Sequence, residues 1–258
     1  MVFDLGMPDR IALITGASRG IGLAIAHRLS ADGYHVVVTA RSADKIADLA
    51  DQLKAAGRPA DAVACDLGDR SSVDDLVAEV RARHGRLDVL VNNAGALPAA
   101  RVAEDVTRAE WDAVLEVNLS APWFLACRAK ELMGDRGGVI VNVASTAAFY
   151  PSRGLVAYNV SKAGVVMLTK VLALEWARHR VRVVGIAPGK IDTDLLAPVV
   201  AHAEKKGVAL NPQRRVGTGE EVAGLVSYVV SDAAAFVTGS VIPIDGGELL
   251  VATSEHGK

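Results

Sequence analysis

The chain has 258 residues, of which 51% are hydrophobic and 22% charged, and its formal net charge at pH 7 is -2. This composition predicts one sizeable core in a single domain, residues 1–258, and no apolar run approaches the ~20 residues of a membrane span. The near-neutral charge and dispersed aromatic residues provide no basic stripe for nucleic acid, and the first ten residues lack the pattern of a secretory signal. We therefore expect a cytoplasmic protein that spans no membrane and binds no nucleic acid.

The cysteines and histidines give little sign of covalent or metal chemistry. Cys65 and Cys127 lie in strand-like and helical runs and are typical of small apolar core residues, so no disulfide is expected. The histidines show no paired helical spacing and have no cluster of cysteines or acids beside them, which predicts no metal site. They are His27, His35, His84, His179, His202 and His256.

Short β-branched or apolar runs alternate with longer stretches of helical period along the chain. This alternation is typical of strand–helix units around a parallel sheet, whose strands are buried on both faces. It predicts an α/β fold: a single-domain, Rossmann-type, doubly wound parallel sheet of about seven strands with helices on both faces. The polar tail, about residues 252–258, is expected to fray. The predicted strands are Ile11–Thr15, His35–Thr39, Ala62–Cys65, Leu87–Asn92, Gly138–Ala144, Arg182–Ile186 and Val241–Pro243.

A glycine-rich turn, Thr15-Gly-Ala-Ser-Arg-Gly-Ile-Gly22, follows the first predicted strand and leads into a helix. Glycines let the backbone turn sharply and approach a pyrophosphate, whose charge is then met by the helix N-terminus. The position after a first strand favours a dinucleotide site over the alternative, an ordinary strand–helix turn made of small residues.

The turn and several later motifs resemble the short-chain dehydrogenase/reductase family, in the subgroup similar to 3-oxoacyl reductases. The turn has the spacing Thr-Gly-x-x-x-Gly-x-Gly, and the resemblance covers the chain from Arg10 to about Leu249. It implies an NAD(P)-dependent enzyme that acts on CH–OH groups. The further motifs, in chain order, are Asp66-Leu67, Asn92-Asn-Ala-Gly95, Asn118, Ser145, Tyr158-Asn-Val-Ser-Lys162, Pro188-Gly189 with Thr193, Val237-Thr-Gly239 and Asp245-Gly-Gly247.

The resemblance also implies which residues surround the cofactor. Asp66-Leu67 is expected to border the adenine, residues 93–95 to support the cofactor, and Ile191 with Thr193 to contact its nicotinamide end. An alternative stays open for Asn92-Asn93, because strand-end asparagines also hydrogen-bond neighbouring backbone. The complete predicted cofactor set is Gly16, Ser18, Arg19, Gly20, Ile21, Gly22, Arg41, Asp66, Leu67, Asn93, Ala94, Gly95, Tyr158, Lys162, Pro188, Gly189, Ile191 and Thr193.

Charge at the end of the second predicted strand indicates which dinucleotide is bound. Folds that prefer NAD usually carry an acid there to accept the ribose hydroxyls, whereas this chain has Ala40 followed by Arg41. Arg41 and Arg19 could clamp a ribose 2′-phosphate through charge-assisted hydrogen bonds. We therefore predict NADPH/NADP+ as the cofactor. In the alternative, Arg41 is only a solvated residue at the start of a helix.

Four residues are candidates for catalysis. Tyr158 and Lys162 lie four residues apart in a predicted helix and share one face, so the ammonium is expected to lower the phenol pKa from about 10. Tyr158 would exchange the proton, and Ser145 would stabilise the charge that develops on the carbonyl oxygen. The resemblance alone implies that Asn118 opens its helix and holds a water that relays protons from Lys162. Each also has an ordinary alternative, as a helix cap, solvated charge, loop hydroxyl or local backbone partner, but their joint occurrence favours catalysis.

Two predicted helical stretches, 111–133 and 156–177, are apolar around more of their circumference than one sheet face can cover. A helix that is hydrophobic nearly all round needs burial on a second side. We predict a homodimer or homotetramer through these helices, with burial under a neighbouring loop as the alternative.

The segment after the sixth predicted strand, about residues 190–215, is the family's selective element and predicts a mobile lid over a small-molecule carbonyl or alcohol substrate. Apolar residues such as Leu195 and Leu196 fit a lid, whereas Lys205-Lys206 is typical of a solvated surface. The expected reaction is that of a ketoreductase, the NADPH-dependent interconversion of a ketone and a secondary alcohol.

Two alternatives for the function stay open. One is a 3-oxoacyl-[acyl-carrier-protein] reductase, whose partner is strongly acidic; such reductases tend to carry basic residues where this chain has Phe124 and His179. The other is a non-catalytic NADPH-binding sensor, which the intact Tyr158, Lys162 and Ser145 argue against.

Overall fold

The computed structural model of the chain describes residues 10–193 and 210–252. Seven strands form one sheet in the order β3-β2-β1-β4-β5-β6-β7, and every neighbouring pair is parallel. The predicted α/β fold is therefore confirmed. The strands are β1 Ile11–Thr15, β2 His35–Ala40, β3 Ala60–Ala64, β4 Val89–Asn92, β5 Gly138–Val143, β6 Val181–Pro188 and β7 Val241–Ile244.

Helices cover both faces of the sheet. The long helix predicted over 111–133 is wrong as a continuous α-helix, because a π-helical segment, Glu116–Ser120, separates α4 from α5. The helix predicted over 156–177 is present as α6 and ends one residue earlier. The helices are α1 Gly20–Ala31, α2 Ala43–Ala55, α3 Arg70–His84, α4 Arg108–Leu115, α5 Ala121–Met133, α6 Val156–Trp176, α7 Gly219–Val230 and α8 Glu248–Ala252.

Each face of the sheet packs into its own hydrophobic cluster. Along β1, Ile14 enters the cluster shared with α1, α2 and α7, whereas Leu13 enters the cluster shared with α3, α5 and α6. Successive strand residues point to opposite faces, so both faces of β1 are covered. This two-sided burial explains why the strands have continuous apolar sequences.

The order of the strands creates a crevice at the carboxyl ends of β1 and β4. The chain moves from β1 outward to β2 and β3 and then returns to β4 on the other side of β1. In open α/β sheets ligands bind outside the carboxyl ends of the strands, where the order reverses. The glycine turn follows β1 and residues 93–95 follow β4, so both border this crevice.

Several predictions fall outside the described residues. These are most of the predicted lid, residues 194–209, and the tail residues 253–258. Within the described ranges, none of the helices combines the length and the apolar content needed to cross a bilayer. Cys65 and Cys127 are both free thiols.

Candidate active site

The glycine turn after β1 has a backbone that requires glycine at three positions. Gly16 and Gly20 have φ angles of +68° and +55°, a region that L side chains rarely adopt. A Cβ atom on Gly22 would lie 2.3 Å from the carbonyl oxygen of Gly16. Arg19 makes no side-chain cap on α1, so the first N–H groups of this helix are not capped and can meet an anion. The turn therefore has the form that a bound pyrophosphate needs.

Residues that follow β4 fix the shape of the glycine turn. Asn93 Nδ2 donates to the carbonyl oxygens of Thr15 at 2.8 Å and Gly16 at 3.3 Å. The N–H groups of Asn93 and Ala94 both donate to Thr15 Oγ1 at 3.0 Å. Asn92 is buried and donates to a backbone carbonyl at 3.2 Å. The alternative that the sequence left open was a hydrogen bond to neighbouring backbone; Asn92 bonds the backbone of α5, and Asn93 bonds the backbone of the glycine turn itself.

Asn118 lies in the middle of the π-helical segment, so the helix is opened at this residue as the resemblance implied. Its side chain is buried. Asn118 Oδ1 accepts from Ala96 N at 2.7 Å, and Nδ2 donates to Ala96 O and to Ser161 Oγ, both at 3.0 Å. Both N–H donors of the amide are therefore used in joining α6 to the segment after β4.

Tyr158, Lys162 and Asn118 come together beside Gly95. Lys162 Nζ lies 5.8 Å from the centre of the Tyr158 ring. A Cβ atom on Gly95 would lie 3.5 Å from Asn118 Oδ1 and 3.6 Å from Lys162 Nζ, so both groups border the space over this glycine. Ser145 is the second residue after β5 and is half-buried. The structure thus brings the four predicted catalytic residues to the carboxyl ends of β4 and β5.

Burial controls the proton affinities of Lys162 and Tyr158. The Lys162 side chain is 4% exposed, and burial lowers its pKa from 10.5 to about 8. Burial raises the pKa of Tyr158, and the Ser145 hydroxyl and the charge of Lys190 oppose this only in part. The expected lowering of the Tyr158 pKa by Lys162 is not met in this structure. The Lys162 ammonium instead donates to Val143 O at 2.8 Å.

A buried ion pair that the sequence analysis missed lies next to these residues. Lys190 Nζ is 2.8 Å from Glu248 Oε1, and the same oxygen accepts a hydrogen bond from the Tyr150 hydroxyl. Burial by itself lowers the pKa of Lys190, but Glu248 outweighs it and the pKa is raised. The ammonium therefore stays charged. The only available signal in the sequence was position, because Lys190 directly follows the Pro188-Gly189 motif.

Of the predicted residues at the end of β6 and after it, Thr193 lies beside the glycine turn. A Cβ atom on Gly20 would lie 3.2 Å from Thr193 Cγ2. The sequence analysis expected Thr193 at the nicotinamide end of the cofactor, whereas here it borders the turn that is predicted to bind the pyrophosphate. Gly189 permits the close approach of α8, since a Cβ there would lie 2.6 Å from Glu248 Oε2. Ile191 is buried, and Pro188 ends β6.

The predicted adenine side of the crevice is more open. Asp66 is exposed, and its Oδ1 accepts from Gly68 N at 2.9 Å, which closes a local turn. Leu67 is buried in the core, so it contributes packing behind this surface. Arg41 is exposed just beyond β2, which ends at Ala40 without an acid. Of the other turn residues, Ser18 is half-buried and Ile21 packs against the core.

Comparison with known proteins agrees with this fold. The family model described as short chain dehydrogenase matches residues 10–204. Dehydrogenase/reductase SDR family member 4 of Oryctolagus cuniculus is 38% identical over 244 residues, which cover 93% of this chain and 94% of that protein. D-threitol dehydrogenase of Mycolicibacterium smegmatis is 39% identical over 250 residues, 95% of each chain. A structure of actinorhodin polyketide ketoreductase with NADPH is similar at a TM-score of 0.87 and 34% identity, covering 93% of this chain and 97% of that chain. The chain therefore belongs to the short-chain dehydrogenase/reductase family.

Proposed function

We propose that the protein is an NADPH-dependent oxidoreductase that interconverts a ketone and a secondary alcohol, with Tyr158 as the group that gives and takes the proton. The observation that carries this proposal is the meeting of Tyr158, Lys162 and Asn118 around Gly95, beside the glycine turn. Lys162 and Asn118 are buried polar groups on separate helices. Burying such groups costs free energy, so packing alone gives no reason for them at this place, whereas proton transfer does.

The crevice fits NADP in its shape and its charge. The glycine turn leaves room for a pyrophosphate in front of the N-terminus of α1, and Asn93 holds the turn in that shape. Ala40 ends β2 without the acid that a ribose 2′-hydroxyl would need, and the exposed Arg41 supplies positive charge for a 2′-phosphate. The similar ketoreductase structure with NADPH supports the same choice here.

The bound nicotinamide supplies the hydride that reaches the carbonyl carbon. As negative charge grows on the carbonyl oxygen, the Tyr158 hydroxyl donates a proton to it, and the Ser145 hydroxyl donates a second hydrogen bond. The raised pKa of Tyr158 keeps the phenol protonated at neutral pH, which is the form that reduction requires. The buried Lys162, whose pKa is about 8, can release and regain a proton near neutral pH and so restore Tyr158.

The decisive test is Tyr158→Phe, which keeps the ring and deletes the proton donor. We expect NADPH oxidation with the best substrate of a screen of ketones, ketoses, quinones and β-ketoacyl thioesters to fall by about 10²–10⁴-fold. NADPH binding should be retained. Tyr228→Phe is the matched control, because Tyr228 is an exposed tyrosine on α7, and it should keep full activity.

Two outcomes would reject the proposed reaction. Reduction at a near wild-type rate by Tyr158→Phe would exclude Tyr158 as the proton donor. Tight NADPH binding by the unaltered protein, with no turnover of any substrate in the screen, would favour the non-catalytic NADPH sensor.

A second candidate function, reduction of 3-oxoacyl groups on an acyl carrier protein, has one observation in its favour. The guanidinium groups of Arg70 and Arg128 each lie 5.0 Å from the centre of the Phe124 ring. Positive charge is therefore present where the sequence at Phe124 suggested none, although Glu131 offsets part of it at 2.9 Å from Arg128, and it would attract an acidic partner. The candidate predicts that kcat/KM is at least ~10-fold higher for an acyl group on the carrier protein than on a small thiol. Arg128→Glu should remove that advantage.

We also propose that the chain forms a homodimer or homotetramer through α5 and α6. Trp123, Met167 and Leu174 are 50%, 58% and 83% exposed, whereas Leu172 and Trp176 of α6 are buried against the sheet. The outer side of α6 is thus left uncovered by the described part of the chain, which argues against burial under a neighbouring loop. Contiguous exposed apolar surface of this kind marks interaction sites.

A further inference from the structure

Three residues with metal-binding side chains meet at the amino-terminal edge of the sheet, at the opposite ends of the strands from the candidate active site. His35 is the first residue of β2, Asp61 lies in β3, and His84 is the last residue of α3. The parallel pairing of β2 with β3 aligns the first two elements. The sequence analysis predicted no metal site because these residues are far apart along the chain.

The three side chains converge on one carboxylate oxygen. His35 Nε2 is 2.7 Å and His84 Nε2 is 3.1 Å from Asp61 Oδ2. The imidazole rings meet edge to face, with centroids 4.6 Å apart. One ligand atom from each residue lies within 4.8 Å of the other two. The second carboxylate oxygen, Oδ1, is 3.3 Å from Arg83 Nη1, and Arg83 is in turn neutralised by Glu79.

His84 is the member of the cluster that needs an explanation. Its side chain is only 10% exposed, and among the described residues its buried Nε2 has no hydrogen-bond partner, although Asp61 Oδ2 is close. Buried polar atoms without a partner are rare and cost free energy. A neutral His84 whose proton is on Nε2 would face Asp61 Oδ2 at 3.1 Å without the alignment of a hydrogen bond, whereas a cation between the two atoms would bind both.

We propose that His35, Asp61 and His84 bind one divalent transition-metal ion, with zinc as the expected species. Two imidazole nitrogens and one carboxylate oxygen form a typical three-residue zinc donor set, which leaves a fourth position for water. Tetrahedral zinc bonds of about 2.0–2.2 Å place ligand atoms roughly 3.3 Å apart. The nitrogen–oxygen distances of 2.7 and 3.1 Å must lengthen slightly, and the two imidazole nitrogens, which lie within 4.8 Å of each other, must come to about 3.3 Å to reach this geometry.

The proton balance of binding is simple. The proton in the hydrogen bond between His35 Nε2 and Asp61 Oδ2 is displaced to His35 Nδ1 or to solvent, and the metal takes its place between the two atoms. No other hydrogen bond of the cluster has to break. The ion would join β2, β3 and α3, so the site is structural and its effect should appear in stability rather than in the rate of hydride transfer.

The proposal is tested by titrating chelator-treated full-length protein with ZnCl₂ in a calorimeter and by thermal unfolding. We expect one ion per chain with a micromolar or lower Kd. At a zinc concentration about 100-fold above Kd, Tm should rise by roughly 5–10 °C. Cobalt added to the stripped protein should give the visible absorption of a tetrahedral site, and zinc should displace it.

Three variants identify the ligands. His35→Gln, His84→Gln and Asp61→Asn should each weaken zinc binding at least ~10-fold, which lowers the zinc-dependent rise in Tm by about half or more. His27→Gln, which changes an exposed histidine on α1, should bind zinc like the unaltered protein. NADPH binding measured on every variant verifies that each one is folded, and having three ligand variants protects the test if one of them fails to fold. Absence of a one-to-one site, or equal affinity in all folded variants, would show that the cluster is a hydrogen-bonded triad only.

Discussion

Lys162 is a buried ammonium for which the described residues provide no acidic partner, so its titration should be visible in the stability of the protein. Its pKa is about 8 in the folded chain, and unfolding returns it to 10.5. The fold therefore prefers the neutral amine, and below pH 8 the folded protein holds the proton at a cost. Between pH 8 and pH 10.5 the cost is that of removing the Lys162 proton when the chain folds. This cost falls as pH rises, and it vanishes once the unfolded chain is deprotonated as well. Stability contributed through Lys162 must consequently increase with pH over this window.

The size of the effect follows from the two pKa values. The difference between them corresponds to roughly 3 kcal/mol of destabilisation at pH 7. As pH rises from 7 to 9.5, this destabilisation decreases by about 2 kcal/mol. Lys162→Met has no proton to titrate, so it lacks this dependence. The variant also loses the 2.8 Å hydrogen bond to Val143 O, but that loss is nearly constant above pH 8 and only offsets the curve.

Urea unfolding without cofactor, at one protein concentration, measures the prediction. The free energy of unfolding of Lys162→Met minus that of the unaltered protein should fall by about 2 kcal/mol between pH 7 and pH 9.5. Other titrating groups are common to both proteins and cancel. Lys170→Met is the matched control, because Lys170 is exposed on the same helix, and its difference should stay flat. An equally flat difference for Lys162→Met would refute the claim that an uncompensated ammonium is buried there.

Three further substitutions test the cofactor site and the assembly. Gly22→Ala places a methyl group 2.3 Å from Gly16 O, so a fluorescence titration should show NADPH binding at least ~10-fold more weakly. Gly224→Ala is the control, because its methyl group would enter open space on α7, and it should not change NADPH binding. Arg41→Ala should raise KM for NADPH about 10-fold and leave KM for NADH nearly unchanged, and a parallel rise in both would disprove the 2′-phosphate contact. Leu174→Asp should give a monomeric mass by light scattering at micromolar concentration, and a monomeric unaltered protein would contradict the proposed interface.

The strands were predictable because burial on both faces makes their sequences continuously apolar, but pairing decides where each one begins. Leu87 was predicted to lie within the fourth strand, and it is as apolar and as buried as Val89. Its N–H, however, donates to Leu132 O at the end of α5 and not to a neighbouring strand. Hydropathy contains no information about this partner. The strand therefore starts at Val89.

The interruption at Asn118 has one local signal besides the family resemblance. Apolar residues recur at helical spacing through 111–133 and no glycine lies there, but Pro122, in the first turn of α5, has no N–H to donate to the carbonyl oxygen of Asn118. The segment is widened where Asn118 hydrogen-bonds Ala96 and Ser161, which belong to other parts of the chain. The sequence around Asn118 does not show that its side chain will hydrogen-bond these two residues.

Spacing in one helix made the Tyr158 and Lys162 pair predictable, because residues four apart share a face. The Lys190 and Glu248 pair had no comparable signal, since its members follow β6 and β7 and meet only when the sheet forms. The same reason hid the cluster of His35, Asp61 and His84. Sequence patterns therefore identified the groups that one element brings together, and missed those that the fold assembles from several.

The two lysine ammonium groups near Tyr158 have opposite environments, and we expect them to act on Tyr158 in different ways. Lys190 is paired with Glu248 at 2.8 Å, and its pKa is raised, so it remains charged throughout the neutral range. Lys162 has no acid, and burial lowers its pKa to about 8, so its proton is held weakly. A permanent charge can lower the pKa of Tyr158 but cannot exchange protons with it, whereas a group that titrates near neutral pH can. We infer that burial, opposed in part by Ser145 and Lys190, sets the constant part of the Tyr158 pKa, and that the pH dependence of proton exchange comes from Lys162.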